Sequence, residues 1–332
     1  MSDTTVSLEV ARAYVARVLE GHRTSADNAA LVADALVMAE ADGLKGHGLS
    51  RLDSYSAQAA SGKVDGQATP TVDHRATAAI AVDGANGFAY PAIDVALTEL
   101  EALTPKTGVA AAGIRRSHHC GAAGHHVERL ARYGLVGLMF ANTPEAIAPW
   151  GGSKAVFGTN PIAFAAPVEG AEPLVVDLSL SKVARGNIMK AKQEGKPIPE
   201  GWALGPDGAP TTDPEAALKG TMVAMGDAKG AALALVVEIL AAGLTGANFA
   251  TEATNFFDAD GAPPGTGQLI LAFSPPAFGG DGFAARMSVL AGLIEGQDGA
   301  RLPGRRRFDN RERARREGIV LPAAMIAKFG AV

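Results

Sequence analysis

The sequence predicts an α/β fold, and three observations carry that reading. Forty glycines and nineteen prolines in 332 residues imply many tight turns, which a helical bundle does not need. Apolar residues recur with helical spacing through the first sixty positions. From TAAIAVDGANG onward, short β-type runs alternate with helical stretches.

Ser7 can cap a first helix to about residue 22, and Ser25 a second to about Ala41, where Gly43 stops it. The stretch LKGHGLSR then forms a turn, and a third short helix follows over about 50 to 61. Residues 77 to 83 read as a strand and 88 to 104 as a helix. GVAAAGIRRS is a strand, GHHVERLARYG a helix and LVGLMFAN a strand. IAFAAP, LVVDLS and LILAFSP supply further strands. DLSLSKVARGNIMKAKQEGK is expected to enter a helix after Asp177. KGAALALVVEILAAG reads as an apolar helix that should be largely buried. No internal repeat is visible. The expected units are an N-terminal helical segment (1–75), a central α/β lobe (76–290) and a C-terminal segment (291–332) packing back on the first.

Composition narrows the function classes. Apolar residues make up 47% and charged residues 20%, and the net charge is -5, which gives no basic face for nucleic acid. RRRFDNRERARR is a local basic run, interrupted by Asp309 and Glu312 and followed by Glu317; it is expected to be a solvated helix face. A single cysteine excludes an intrachain disulfide and any multi-cysteine metal site. MSDTTVSLEV lacks the pattern of a signal peptide. AALALVVEILAAGLTGA is broken by Glu238, so no membrane span is expected and a cytoplasmic protein is the default.

Several motifs are instructive by failing. GAPPGTGQL has the glycines of a phosphate loop, but Gln268 and Leu269 stand where lysine and a hydroxyl would be needed. It reads instead as a turn into LILAFSP. No G-x-G-x-x-G opens a strand–turn–helix unit, and G-x-S-x-G is absent. SHHCGAAGHH, residues 117–126, holds four of the seven histidines and the only cysteine. His118 and His119 are adjacent and should diverge on an extended chain, and His125 and His126 diverge on a helix, so no metal is expected. Cys120 reads as a small packing residue. What remains is a strand, a small-residue turn and a helix N-terminus. Its backbone N–H groups suit an anion such as a pyrophosphate, or the turn is simply a tight connection.

ADGLKGHGLSRL, SHHCGAAGHH, APWGGSKAVFGTNPIAFAAP, VVDLSLSKVARG, AKGAALALVVEILAAGLTGA and RLPGRRR occur in this order. With them the chain resembles the malate/L-lactate dehydrogenase family, which includes sulfolactate and ureidoglycolate dehydrogenases and the piperideine/pyrroline-2-carboxylate reductases. The resemblance spans about residues 5 to 330. It implies a non-Rossmann NAD(P)-binding lobe with a mixed sheet, flanked by helical N- and C-terminal segments, and a homodimer binding NAD or NADP.

Carried onto this sequence, the resemblance makes His47 the acid/base for the substrate, Arg51 the clamp for its carboxylate and Asp177 the support of His47. An imidazole and a planar guanidinium suit those tasks. A spacing of four would put His47 and Arg51 on one face of a helix. Trp150 is assigned to the substrate side. The cofactor contacts fall on His119, Gly121, Ala122 and Ala123; on Asn142 and Thr143; and on Thr159, Asn160 and Pro161. They continue through Asp177, Leu178 and Ser179 to Lys229, Gly230, Arg301 and Arg305.

Two positions depart from the family pattern. Gly46 stands where serine often precedes the catalytic histidine, and Asp227 stands in M-G-D-A-K-G where a glycine is usual. The implied activity is hydride transfer between nicotinamide and C2 of a small 2-oxo or 2-hydroxy acid of sulfolactate, malate or lactate type. Reduction of cyclic imino acids is the close alternative, and a non-catalytic binder that kept the fold is a distant one.

Overall fold

A computed structural model describes residues 2–332. The chain opens with β1 (Thr4–Val6), α1 (Leu8–Glu20) and α2 (Ala26–Ala41), two 3-10 turns (Lys45–His47 and Leu49–Arg51), and α3 (Leu52–Ser61). The caps are those the sequence indicates: Val10 N donates to Ser7 Oγ at 3.2 Å and Asn28 N to Ser25 Oγ at 3.4 Å. Such caps stabilise a helix by about 1 kcal/mol each.

The middle of the chain runs β2 (Thr71–Ala76), β3 (Ala79–Asp83), α4 (Ala89–Thr107), β4 (Val109–Ser117), α5 (Ala123–Arg132), β5 (Val136–Ala141), β6 (Ile162–Ala166) and β7 (Leu174–Leu178). After α6 (Arg185–Gln193), the short elements β8 (Ala203–Leu204), β9 (Pro210–Thr211), α7 (Pro214–Lys219) and β10 (Thr221–Met222) lead to α8 (Ala228–Glu238). A π-helical turn, Ile239–Gly243, extends α8. The chain closes with β11 (Thr266–Phe273), α9 (Phe283–Glu295), α10 (Arg305–Glu317), β12 (Ile319–Leu321) and α11 (Ala323–Phe329).

Seven strands form the main sheet in the order β2-β3-β4-β11-β5-β6-β7. Only β3 and β4 are parallel, and α4 makes the crossover that parallel neighbours require. The sheet is therefore mixed, as expected. Its side chains divide by strand alternation. Ile114, Met139, Ala163 and Ile270 face one core with α4 and α5, while Leu138, Phe140, Leu269 and Leu271 face another with α8. A third core joins α1, α2 and α3 to α10, β12 and α11, and β1 pairs with β12. Full burial of a side chain such as Leu36 contributes roughly 1.5–3 kcal/mol.

The structure corrects four expectations. β2 was not anticipated; all but one of its residues are exposed, so TVDHRA shows no apolar alternation. The helix after Asp177 begins only at Arg185, because Leu180 N and Met225 N use the intervening backbone for bonds to Thr159 O and Leu180 O. α8 is not largely buried: Leu235, Val236 and Ile239 stand out from the chain. The basic run is not a wholly solvated face either, since Arg307 and Arg311 are buried against carboxylates. No described helix is long and apolar enough to cross a membrane.

Candidate active site

The α2 C-terminus delivers the two 3-10 turns beyond the end of β4, where His47 meets His119. Gly48 sits hard against α2, where a Cβ would come within 2.9 Å of the Glu40 backbone nitrogen. Glu40 in turn accepts from Leu49 N at 3.1 Å. The stretch is thus two tight turns interrupted at Gly48, not the continuous helix that a spacing of four assumes. Arg51 nevertheless lies close enough to His47 for its charge to act there. Burial foremost, then the positive charges of Arg51 and His125, push the His47 pKa down to about 4. His47 is neutral at pH 7.

His119 arrives from the end of β4. Its ring stacks on His47 with centroids 5.2 Å apart and planes 15° apart. Its Nδ1 is hydrogen-bonded to the Tyr55 hydroxyl at 2.6 Å, and Tyr55 lies 3.3 Å from the Tyr90 hydroxyl. Burial pushes Tyr55 up to about 12, so the phenol keeps its proton. Gly121 follows at φ +68, with the Tyr90 hydroxyl 2.5 Å from where a Cβ would stand. Only glycine combines that backbone with that approach. The four imidazoles of the motif go to four separate partners: Gln58 for His118, Tyr55 for His119, Asp42 for His125 and Cys120 O for His126. His118 and His119 both pack on Tyr55 and Phe256, so they do not diverge as an extended chain would have them.

Asp177 lies at the end of β7, exposed in relative area yet crowded by neighbours. Its Oδ2 accepts from Gly124 N at 2.8 Å, in the first turn of α5. The carboxylate itself therefore caps the helix N-terminus that the sequence offers to a pyrophosphate. Crowding raises the Asp177 pKa, against the pull of Gly124, Arg307 and His125. No hydrogen bond joins Asp177 to His47, whose Nδ1 is buried without a protein partner.

The remaining sequence-selected positions fall in two groups. Asn142 and Asn160 donate through Nδ2 to the buried carboxylate of Glu238, at 3.1 and 2.8 Å, and Ala250 N donates to it at 2.7 Å. Asn160 holds φ +40 and leaves its Oδ1 buried without a partner. Thr159 N donates to Thr143 Oγ1 at 2.9 Å; Pro161 leads into β6; Leu178 pairs with Ile162 in the sheet; Ser179 Oγ meets Ser181 Oγ at 2.8 Å. Ala122 and Ala123 start α5, and Gly230 packs on Met225 O. In contrast Trp150, Lys229, Arg301 and Arg305 are exposed. Among the described residues no hydrogen bond, ion pair or aromatic contact links these four to His47, Arg51 or His119; Arg305 pairs with Glu295 at 3.6 Å.

Three features were missed in the sequence. Tyr55 stands four residues after Arg51, a spacing that could have flagged it. Phe256 and Phe257 form an aromatic doublet in a glycine-rich loop of a chain with only 5% aromatics. A buried charge cluster joins α2, α5 and α10: Arg311 donates to Asp42 at 2.7 and 2.8 Å and to Glu128 at 2.6 and 3.0 Å, and Arg307 adds to both. Nothing in the local sequence signals it.

A mixed seven-stranded sheet without a glycine-rich dinucleotide loop, beside a helical segment presenting a half-buried histidine and an arginine, defines a non-Rossmann α/β fold of the dehydrogenase kind. The chain belongs to the malate/L-lactate dehydrogenase family, whose family model matches residues 6–329. It is 50% identical over 326 residues to a (2R)-3-sulfolactate dehydrogenase (NADP(+)) of Chromohalobacter salexigens, covering 98% of this chain and 97% of that one. It is 40% identical over 318 residues to a delta(1)-pyrroline-2-carboxylate/delta(1)-piperideine-2-carboxylate reductase of Pseudomonas syringae pv. tomato, covering 94% and 92%. The crystal structure of delta1-piperideine-2-carboxylate reductase from P. syringae superposes with a TM-score of 0.93 at 39% identity, covering 98% of each chain. Sulfolactate dehydrogenase from Methanocaldococcus jannaschii gives 0.90 at 27% identity, covering 98% of this chain and 95% of that one.

Proposed function

We propose that this chain is an NADP- or NAD-dependent oxidoreductase of a small 2-oxo acid or its 2-hydroxy counterpart, of sulfolactate, malate or lactate type. One observation carries the proposal. Within a five-residue stretch, His47 Nδ1 and Arg51 Nη1 are both buried and without protein partners. Buried polar atoms are nearly always paired, so the pair suits a ligand with a carboxylate and a proton-exchanging oxygen. The 50% identity to a sulfolactate dehydrogenase favours a substrate bearing a second anionic group.

In this reading Arg51 binds the substrate carboxylate through its free guanidinium edge. His47 exchanges a proton with the substrate oxygen at C2. Neutral at pH 7, it is the base for the hydroxy acid. A carboxylate arriving at Arg51 offsets one of the positive charges that depress His47, which favours the protonated form needed for reduction. Asp177 holds the first turn of α5 through Gly124; the support of His47 that the family resemblance assigns to it would act through that placement and not through a bond.

The residues present fit a nicotinamide dinucleotide. Asn160 Oδ1 is an orphaned buried acceptor suited to a carboxamide N–H. His119, Gly121, Ala122 and Ala123 lie between β4 and the start of α5, and Thr143, Thr159, Pro161, Leu178 and Ser179 lie at the ends of the neighbouring strands β5, β6 and β7. Lys229, Gly230, Arg301 and Arg305 would meet the phosphates. The bound nicotinamide supplies or accepts the hydride.

Three further parts belong to the proposal. The units 1–75, 76–290 and 291–332 hold the acid/base, the cofactor and the C-terminal packing segment. A cytoplasmic location suits a chain whose one cysteine is a buried free thiol. A homodimer would cover the apolar faces of α8 and α9, where Leu235, Val236, Ile239, Val289, Leu290 and Leu293 are 44–66% exposed. Sedimentation showing a monomer at micromolar concentration would remove the dimer.

Reduction of cyclic imino acids is favoured by the TM-score of 0.93 to the piperideine-carboxylate reductase. It needs the same hydride geometry, with the proton going to nitrogen. A panel of pyruvate, oxaloacetate, sulfopyruvate and the two cyclic imines, each with NADH and NADPH, separates the readings. Binding of neither nicotinamide at low salt would overturn both.

A further inference from the structure

We infer that Phe257 is a positioning residue for Arg51, fixing the guanidinium plane so that its free edge meets the substrate carboxylate; this rests on the role proposed above for Arg51. The Arg51 Cζ lies over the Phe257 ring, 4.4 Å from its centroid. At the edge, Arg51 Nε donates to Gly46 O at 2.7 Å. One face and one edge are thereby constrained, and Nη1 is left buried with no partner. An aromatic face suits this task. It attracts the cation without using an N–H donor, whereas a protein carboxylate there would compete with the substrate.

The loop that carries Phe257 is anchored for such a purpose. Lys63, only 2% exposed, donates through Nζ to Asn255 O at 2.8 Å, Asp258 O at 3.2 Å and Asp258 Oδ1 at 2.7 Å. From α3, Gln58 Nε2 adds a bond to Asp258 O at 2.8 Å and Ser61 Oγ one to Ala259 O at 2.9 Å. The neighbouring Phe256 is buried against His118 and His119, at 5.2 and 5.3 Å between centroids. Phe257 is itself 51% exposed, so core packing does not explain where its ring lies. The same helix that follows Arg51 therefore also holds the loop that orients it.

The test compares Phe257→Leu, Phe257→Trp, Arg51→Lys and the double variant Arg51→Lys/Phe257→Leu, with sulfopyruvate and pyruvate as the acids and NADPH as cofactor. Phe257→Leu should raise KM for the acid by about 2- to 30-fold, the range a cation–π contact spans. Its kcat and the NADPH dissociation constant, read by fluorescence, should stay near wild type. Phe257→Trp should restore KM, and Phe257→Leu should add nothing in the Arg51→Lys background. If Arg51→Lys raises KM while Phe257→Leu leaves it unchanged, the positioning role fails and the Arg51 clamp stands. If Arg51→Lys leaves KM unchanged, the clamp fails first and this inference with it. Parallel loss of NADPH binding in Phe257→Leu, unrepaired by tryptophan, would reduce Phe257 to a structural part of the loop.

Discussion

The imidazole of His47 lies stacked on that of His119, centroids 5.2 Å apart. Two rings so close cannot both carry charge at neutral pH. Burial comes first among the causes holding His119 well below its ordinary range, with Arg51 and then His47 adding to it. The pair therefore offers one proton site with a neutral neighbour. His47→Ala should lower kcat by about 10²- to 10⁴-fold, the usual contribution of a general acid or base. Titration of NADPH fluorescence should show binding largely kept. An unimpaired rate would take His47 out of the chemistry and leave His119 as the candidate.

Acid should weaken the fold in a defined window. Burial pushes His47 and His126 down to about 4 and His118 to about 3, from an ordinary 6.5. The unfolded chain binds protons at these sites near pH 6.5 and the folded chain does not. Their contribution is complete above pH 6.5 and is lost as pH falls toward 4 and then 3. Glu40 and Asp177, raised by burial, act in the opposite sense but are fewer. Urea midpoints should drop steeply between pH 6.5 and 4. His126→Gln, which can still donate to Cys120 O, should flatten that slope; an unchanged slope would exclude His126 as a contributor.

Arg311, in α10, connects the end of α2 to α5. It is 4% exposed and bonds both Asp42, whose side chain is fully buried, and Glu128. Arg311→Met leaves two buried carboxylates short of a partner, which typically costs about 3–5 kcal/mol. The variant should unfold at markedly lower denaturant concentration than wild type. Arg315→Met, on the exposed face of the same helix, should stay within about 0.5 kcal/mol. Equal effects would mean that helix formation, and not the buried cluster, sets the cost.

The sheet was legible where its strands carry an apolar pattern locally. IAFAAP and LVVDLS need only their own alternation to declare themselves, and Ser7 and Ser25 announce their helices. β2 was not legible, because an exposed edge strand such as TVDHRA buries nothing that periodicity could report. α8 was read as buried since apolar residues ring it; sequence cannot tell a face covered within the chain from one left for another surface. In the candidate site, His47 and Arg51 stand in one short motif, so local sequence could single them out. Arg311 meets Asp42 across 269 positions, and Lys63 meets Asp258 across 195, so no local pattern could hold them. Asp177 was singled out, but its bond to Gly124 depends on how β7 and α5 meet in space.

Asp227 holds φ +58 and ψ -121 immediately before α8, directly after Gly226 at φ +64. That backbone belongs to the first corner of a type II′ turn, where glycine dominates because a Cβ clashes. Non-glycine residues there carry strain of order 1–3 kcal/mol. Asp227→Gly relieves it, at a cost of roughly 0.4–1 kcal/mol in unfolded-chain entropy. The net gain should be about 1 kcal/mol, visible as a rise in Tm. The substitution also removes a negative charge two residues before Lys229, which should tighten NADPH through easier phosphate binding, more at low salt than at high salt. A Tm that falls would show that Asp227 makes compensating contacts. A tighter NADPH constant independent of salt would trace the gain to the backbone and not to the charge.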